Sequence, residues 1–299
     1  MRKIFFKEDD EILDIRKDGV FKAVFAKDTP ESLAVLSKLV SALISKEIII
    51  FSIVTNEPVI ENIHDIQFRL DINCRAANGE LINVEMSLNP KPLETRRMEF
   101  HVARLLTGQD IRGVKKGYKA LKQVYQITIL ANAHIFKDEI YYHKFDFYDS
   151  VNQISLDGIC SIITIELSKL KQILEKPVEE MSQSEKWAVY LEYLTDKSKR
   201  NIINEILEKE EGIAMASDSI YRISQDEVER ARIMRAEKTE LDYISYMDWA
   251  KETGFAEGHA RGHADGLADG EKKNQEFILD LIDQGLTAEE IKKRIKNIN

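Results

Sequence analysis

Residues 70–87 read Leu-Asp-Ile-Asn-Cys-Arg-Ala-Ala-Asn-Gly-Glu-Leu-Ile-Asn-Val-Glu-Met-Ser. Both arms of this stretch alternate. Before the turn, Arg69, Asp71 and Asn73 share one face and Leu70, Ile72 and Cys74 the other; after it, Asn83, Glu85 and Ser87 oppose Ile82, Val84 and Met86. A period of two belongs to a strand and predicts strands over residues 67–75 and 81–88. The loop length then sets the register. A two-residue loop at Asn78-Gly79 pairs Ala77 with Glu80 and sets Asp71 opposite Met86, with Glu85 on the other face. A three-residue loop, Ala77-Asn78-Gly79, pairs Ala76 with Glu80 and sets Asp71 directly opposite Glu85. Three-residue hairpins commonly close on a left-handed residue, which glycine supplies at no steric cost. Gly79 stands at that position, so the three-residue loop is predicted.

That register puts two carboxylates side by side. Like charges directly opposed are unfavourable. A hard divalent cation, which takes oxygen ligands, removes the penalty. Asp71 and Glu85 are therefore candidate metal ligands. Two solvent-facing acids on an ordinary amphipathic hairpin fit the same spacing.

Outward from the hairpin, helical spacing of Val20, Phe21, Val24 and Phe25 predicts a short helix over 18–26. Thr29-Pro30 opens a second, over 31–45. Short β-branched runs predict strands at 48–54, 124–130, 141–147 and 161–167. A basic helix is expected over 91–111. Beyond Lys169 the pattern is helical almost throughout, with helices expected at 183–194, 198–209 and 225–254. In the tail, Gly254, Gly258, Gly262, Gly266 and Gly270 recur every four residues, with Ala256, Ala260, Ala264 and Ala268 beside them. On a helix this makes a slowly rotating smooth stripe. Each glycine costs roughly 1 kcal/mol in an isolated helix, so the tail either coils on a partner or stays flexible. Thr287 and Glu290 have the spacing of a capping box. His259 and His263 stand four apart, a weak metal pair by themselves. Three regions follow: 1–175 around the sheet, 176–253 helical, and 254–299 the glycine-repeat tail with a short terminal helix.

The chain has 299 residues, 43% of them apolar, enough for a sizeable core and a second region. The first residues show no secretory pattern, and no apolar run approaches the roughly 20 residues that span a bilayer. Cys74 and Cys160 have no metal spacing and are expected as reduced thiols in a cytoplasm. The net charge of −9 argues against a nucleic-acid coat protein, but its distribution is uneven. Residues 91–122 carry nine basic and three acidic side chains, whereas 176–299 carry 19 and 27. The basic strip follows the candidate site immediately. Its Arg97, His101, Arg104 and Gln109 are candidate contacts to a phosphate backbone, which supplies most non-specific DNA affinity; a solvated helix face is the plainer alternative.

The motifs in order carry a family likeness. Asp18-Gly-Val-Phe-Lys-Ala-Val-Phe25, Leu70-Asp71-Ile72, Asn78 through Met86, then Arg97, His101, Gln109, Gly117-Tyr118, Leu121, Ile127, Ile165-Glu166-Leu167 and Trp187 resemble the landmarks of the recombination-promoting nuclease and transposase family of the PD-(D/E)xK superfamily. The resemblance implies an α/β fold, a restriction-endonuclease-like mixed sheet flanked by helices and followed by a helical C-terminal region. It implies a DNA endonuclease that leaves a 5′-phosphate, with Mg²⁺, or Mn²⁺ in its place, held by Asp71, Glu85 and the carbonyl of Met86. It also implies DNA as partner, a role in recombination and, from the tail, a homo-oligomer. No membrane is implied.

One position departs from the pattern. The superfamily places Lys, or in this family often Gln, two residues after the glutamate, where it orients the attacking water and stabilises developing charge. Here it is Ser87, short and neutral. Lys22 on the first helix and Gln67 on the strand of Asp71 are candidate substitutes. Three readings stay open at this point: an endonuclease, a DNA-binding or assembly protein whose catalysis is impaired at Ser87, and a structural oligomer built through the tail.

Overall fold

A computed structural model describes residues 4–54, 71–90, 92–111 and 117–296, with the main chain alone at Asp71, Glu240 and Lys296. Leu70 and Gln67, and in the basic strip Lys91, Arg112, Lys115 and Lys116, lie outside the described residues.

The chain forms two compact units, residues 1–234 and 235–299. In the first, α1 (Asp18–Phe25) and α2 (Pro30–Ile44) precede strand β1 (Ile50–Ile53). The decisive hairpin is β2 (Asp71–Ala76) and β3 (Leu81–Ser87). Helix α3 (Glu94–Thr107) then leads to β4 (Val124–Leu130), β5 (Tyr142–Phe145), the small hairpin β6 (Tyr148–Asp149) and β7 (Ile154–Ser155), and β8 (Cys160–Glu166). The six-stranded sheet has the order β1-β2-β3-β4-β8-β5. It is mixed: β3, β4 and β8 run parallel, while β1–β2, β2–β3 and β5–β8 are antiparallel. The parallel step from β3 to β4 needs a long crossover, and α3 provides it. The sequence expectation of a mixed sheet flanked by helices therefore holds.

The hairpin closes as its composition predicts. The Ala76 N–H donates to Glu80 O at 2.9 Å and the Gly79 N–H to Ala76 O at 2.9 Å. Gly79 sits at φ 89°, in the left-handed region. The Asn78 side chain accepts from the Glu80 N–H at 3.1 Å, fixing the turn from inside. With three loop residues, Asp71 faces Glu85, Ile72 faces Val84 and Asn73 faces Asn83.

The two sheet faces differ in chemistry. Ile72, Cys74, Ile82, Val84, Met86, Ile127, Ile129, Ile163 and Ile165 join one continuous core with Phe21, Phe25, Leu36, Leu39, Leu43, Trp187 and Tyr190. Burial there pushes the Cys74 thiol pKa up to about 12, so it behaves as a small apolar side chain. The helices beyond the sheet, α4 (Gln183–Tyr193), α5 (Arg200–Lys209) and α6 (Glu211–Gln225), contribute to the same core. Helix α6 was not foreseen in the sequence. It packs closely on α2 at Gly212, where an added Cβ would lie 2.5 Å from the Lys38 Cβ. The opposite sheet face carries Asn83, Glu85, Gln126, Thr128 and Thr164, all buried.

Helix α7 (Glu227–Asp283) begins in the first unit and makes up most of the second. It continues through the five-glycine repeat rather than stopping near residue 254. At its end Gly285 adopts φ 81°, with Gly285 N–H donating to Ile282 O and Leu286 N–H to Leu281 O. This is a Schellman stop, and Leu281 is buried. Helix α8 (Ala288–Lys296) follows, with Glu290 accepting from the Thr287 N–H at 2.9 Å as the capping-box spacing predicts. Among the described residues, no helix is long and apolar enough to cross a membrane.

Candidate active site

Alternation on β3 sends Asn83, Glu85 and Ser87 to the sheet face covered by α3. Parallel pairing extends the row: Glu85 stands beside Thr128, Thr128 beside Thr164, and Thr164 beside His143 of β5. With Asp71 across from Glu85, a polar rung crosses five strands. One residue pair away, Asn83 donates through Nδ2 to Gln126 Oε1 at 2.8 Å, and Gln126 Nε2 donates to Thr128 Oγ1 at 3.0 Å. A linked network of this kind fixes its members' rotamers.

Glu85 is 1% exposed. A carboxylate that deep requires paired charge, and Arg97 provides it from α3: its Nη2 lies 2.5 Å from Glu85 Oε1, and its Nη1 is 3.5 Å from Glu94 Oε2. The Arg97 Nε is buried with no partner among the described residues. Four residues on, His101 Nδ1 lies 3.4 Å from Asn83 Nδ2. Arg97 and His101 thus turn toward the sheet, whereas Arg104 is exposed. Gln109 is bonded at both amide ends to the main chain of Lys122. The four candidate DNA contacts therefore have three different environments.

Ser87 is buried at the end of β3, its carbonyl accepting from the Ala131 N–H. Met86 sends its side chain into the apolar core, so only its main chain is available to ligate. Lys22 pairs with Asp18 one turn earlier, at 3.0 Å.

The arrangement fits a hard divalent cation in its donor chemistry. Two carboxylate residues occupy directly opposed positions, one of them deeply buried. Beside them the Asn83 Oδ1, a neutral oxygen acceptor, is buried without a partner among the described residues. Asp71 and Glu85, with the Met86 carbonyl, are the residues that would hold such an ion.

A second cluster on the same sheet face escaped sequence reasoning. Asp138, His143 and Glu166 bring ligand atoms within 4.8 Å of one another. They come from a loop, an edge strand and the end of β8, with no spacing to signal them. A cation already sits among them: the Lys169 Nζ lies 2.5 Å from Glu166 Oε2 and 3.3 Å from Asp138 Oδ1. Glu166 Oε1 meanwhile accepts from the Ile135 N–H at 2.6 Å. The group thus pins the loop after β4, and a metal there would have to displace the buried ammonium of Lys169. A shallow cleft lined by Pro90, Leu93, Glu94 and Ile135 opens next to this loop.

The family model of the PD-(D/E)XK nuclease family transposases matches residues 15–250. Neither the curated proteins nor the solved structures provide a significant match. PD-(D/E)XK nucleases generally act with a divalent metal on DNA, in keeping with the opposed carboxylates of β2 and β3. With more than three quarters of its length matched and the expected mixed sheet formed, the chain belongs to the PD-(D/E)XK nuclease family transposases.

Proposed function

We propose that the protein is a metal-dependent DNA endonuclease of the transposase type, hydrolysing phosphodiester bonds and promoting recombination. The observation that carries the reading is the direct pairing of Asp71 with Glu85 on the polar sheet face. In this reading Asp71, Glu85 and the Met86 carbonyl hold Mg²⁺, or Mn²⁺ in its place. When bound, the ion polarises the phosphate and lowers the pKa of a water for in-line attack. The protein's own contribution is placement. The sheet sets the two residues opposite each other, α3 covers Glu85, and Ser87 holds the position that the motif usually gives to Lys or Gln. Arg104 and the exposed Lys119 and Lys122 meet the phosphate backbone. Lys22, held by Asp18 on α1, is a second cationic side chain assigned to the site. The second unit mediates self-association along α7, and the protein acts in the cytoplasm.

Ser87 favours one other reading, a DNA-binding protein with a silenced nuclease site, because its short neutral side chain carries no charge to the reaction. Plasmid nicking in Mg²⁺ or Mn²⁺ separates the two. The nuclease reading expects cleavage by wild type and a loss of at least about 100-fold in Asp71→Ala. Absence of cleavage by wild type, with DNA still bound, would establish the silenced site instead.

A further inference from the structure

Ser87 leaves β3 without the Lys or Gln expected two residues after Glu85, and the fold delivers a cation from a different element. Arg97 closes the first turn of α3 and reaches back over the sheet. Its Nη2 is 2.5 Å from Glu85 Oε1, a charge-assisted contact to a carboxylate that is 1% exposed. Its Nη1 leans on Glu94 at 3.5 Å. The Nε has a proton to donate, is buried, and has no partner among the described residues. A buried donor left unmade is unfavourable, so this Nε is suited to an acceptor that a substrate brings. The acceptor that suits a guanidinium is an oxyanion, which its planar fork binds as readily as a carboxylate.

We propose that Arg97 provides the positive charge of this nuclease site in place of the motif lysine, orienting Glu85 through Nη2 and donating through Nε to a non-bridging oxygen of the scissile phosphate. The proposal rests on the nuclease reading above and names the group that makes it workable with serine at position 87. Arginine stays protonated in proteins; its role is to stabilise charge, and it takes no proton from the attacking water. Among the described residues, Arg97 is a cation in contact with Glu85, whereas Lys169 is held by Glu166 and Asp138.

The test uses the full-length chain as wild type, Arg97→Gln, Ser87→Lys and the double variant. Three quantities are measured: single-turnover plasmid cleavage in saturating Mn²⁺, duplex affinity in Ca²⁺, and Mn²⁺ affinity by calorimetry without DNA. Arg97→Gln is expected to slow cleavage by roughly 10²–10³-fold while duplex affinity changes by no more than about threefold. Its Mn²⁺ affinity is expected to rise severalfold, because a cation competing for Glu85 has gone. Ser87→Lys in that background is expected to restore cleavage at least about tenfold. Wild-type cleavage rates in Arg97→Gln would overturn the proposal. So would slow cleavage that Ser87→Lys does not restore together with weakened Mn²⁺ binding, which would make Arg97 a support of the fold alone. If wild type does not cleave, the nuclease reading fails separately. Mn²⁺ affinity then decides whether Arg97 governs Glu85: tighter binding in Arg97→Gln keeps that relation and unchanged binding removes it.

Discussion

The side-chain amide of Gln109 pairs with the main chain of Lys122 at both ends, Nε2 donating to the carbonyl at 2.9 Å and Oε1 accepting the N–H at 2.8 Å. The amide thus imitates a strand neighbour and ties the end of α3 to the entry of β4. Gln109→Ala is expected to lower stability by about 1 kcal/mol, since the freed groups are near solvent and regain water. Urea denaturation measures this. Duplex affinity is expected to stay within about twofold of wild type, because neither amide end is available to DNA; a large loss would return Gln109 to the DNA interface.

Gly79 is the residue on which the site's register turns. At φ 89° a side chain is strained, although the nearest atoms an added Cβ would meet belong to the flexible Lys122 side chain, at 3.4 Å. The cost of Gly79→Ala is therefore conformational, about 1–2 kcal/mol, seen as a lower denaturation midpoint. If the hairpin instead relaxes to a two-residue turn, Glu85 leaves the face of Asp71. Cleavage and Mn²⁺ binding would then fall together, while Asn78→Ala, which removes only the inner turn bond, would spare both.

Acid weakens the start of α4 in a predictable sense. Burial pushes the Glu185 carboxyl up, but the Lys176 ammonium at 2.5 Å and the Ser182 N–H at 2.7 Å outweigh it and hold the group below its ordinary value. A lowered carboxylate stabilises the fold fully above the unfolded value of about 4.3, and that contribution disappears as pH falls through the lower folded value. Glu185→Gln keeps a cap-competent side chain and removes the charge. Thermal melts of the two proteins are expected to differ most at pH 7 and to converge toward pH 3. A gap that widens in acid would contradict this.

The hairpin was legible because its signals are local: period-two alternation, and a glycine whose place in the loop settles the register. The pairing of Arg97 with Glu85 was not. Helical periodicity puts Arg97 on a face but does not say which sheet residues that face meets, and a basic helix after an acidic hairpin reads naturally as a DNA contact. The Asp138, His143, Glu166 and Lys169 group was hidden for a stronger reason, since a loop, an edge strand and a turn after β8 have no common period. Composition places a change near residue 175, whereas packing is continuous through Trp187, Tyr190 and Ile220 and divides only after Met234. The glycine repeat raised the prospect of a helix break, yet α7 runs on to Asp283 and ends at Gly285, whose left-handed conformation terminates it.

Strand β3 uses its odd positions for chemistry and its even ones for the core, and this has a consequence for how the protein can change over generations. A point substitution at Ser87 alters the reaction without touching Ile82, Val84 or Met86, so reactivity can drift, fade or be regained on an intact scaffold. Losing or gaining a single codon inside the hairpin does the opposite: every side chain beyond that point moves to the other face, and core and site fail at once. The lineage is thus free to edit letters here and barred from editing length, so the spacing from Asp71 to Glu85 should outlast the identity of the residue at 87.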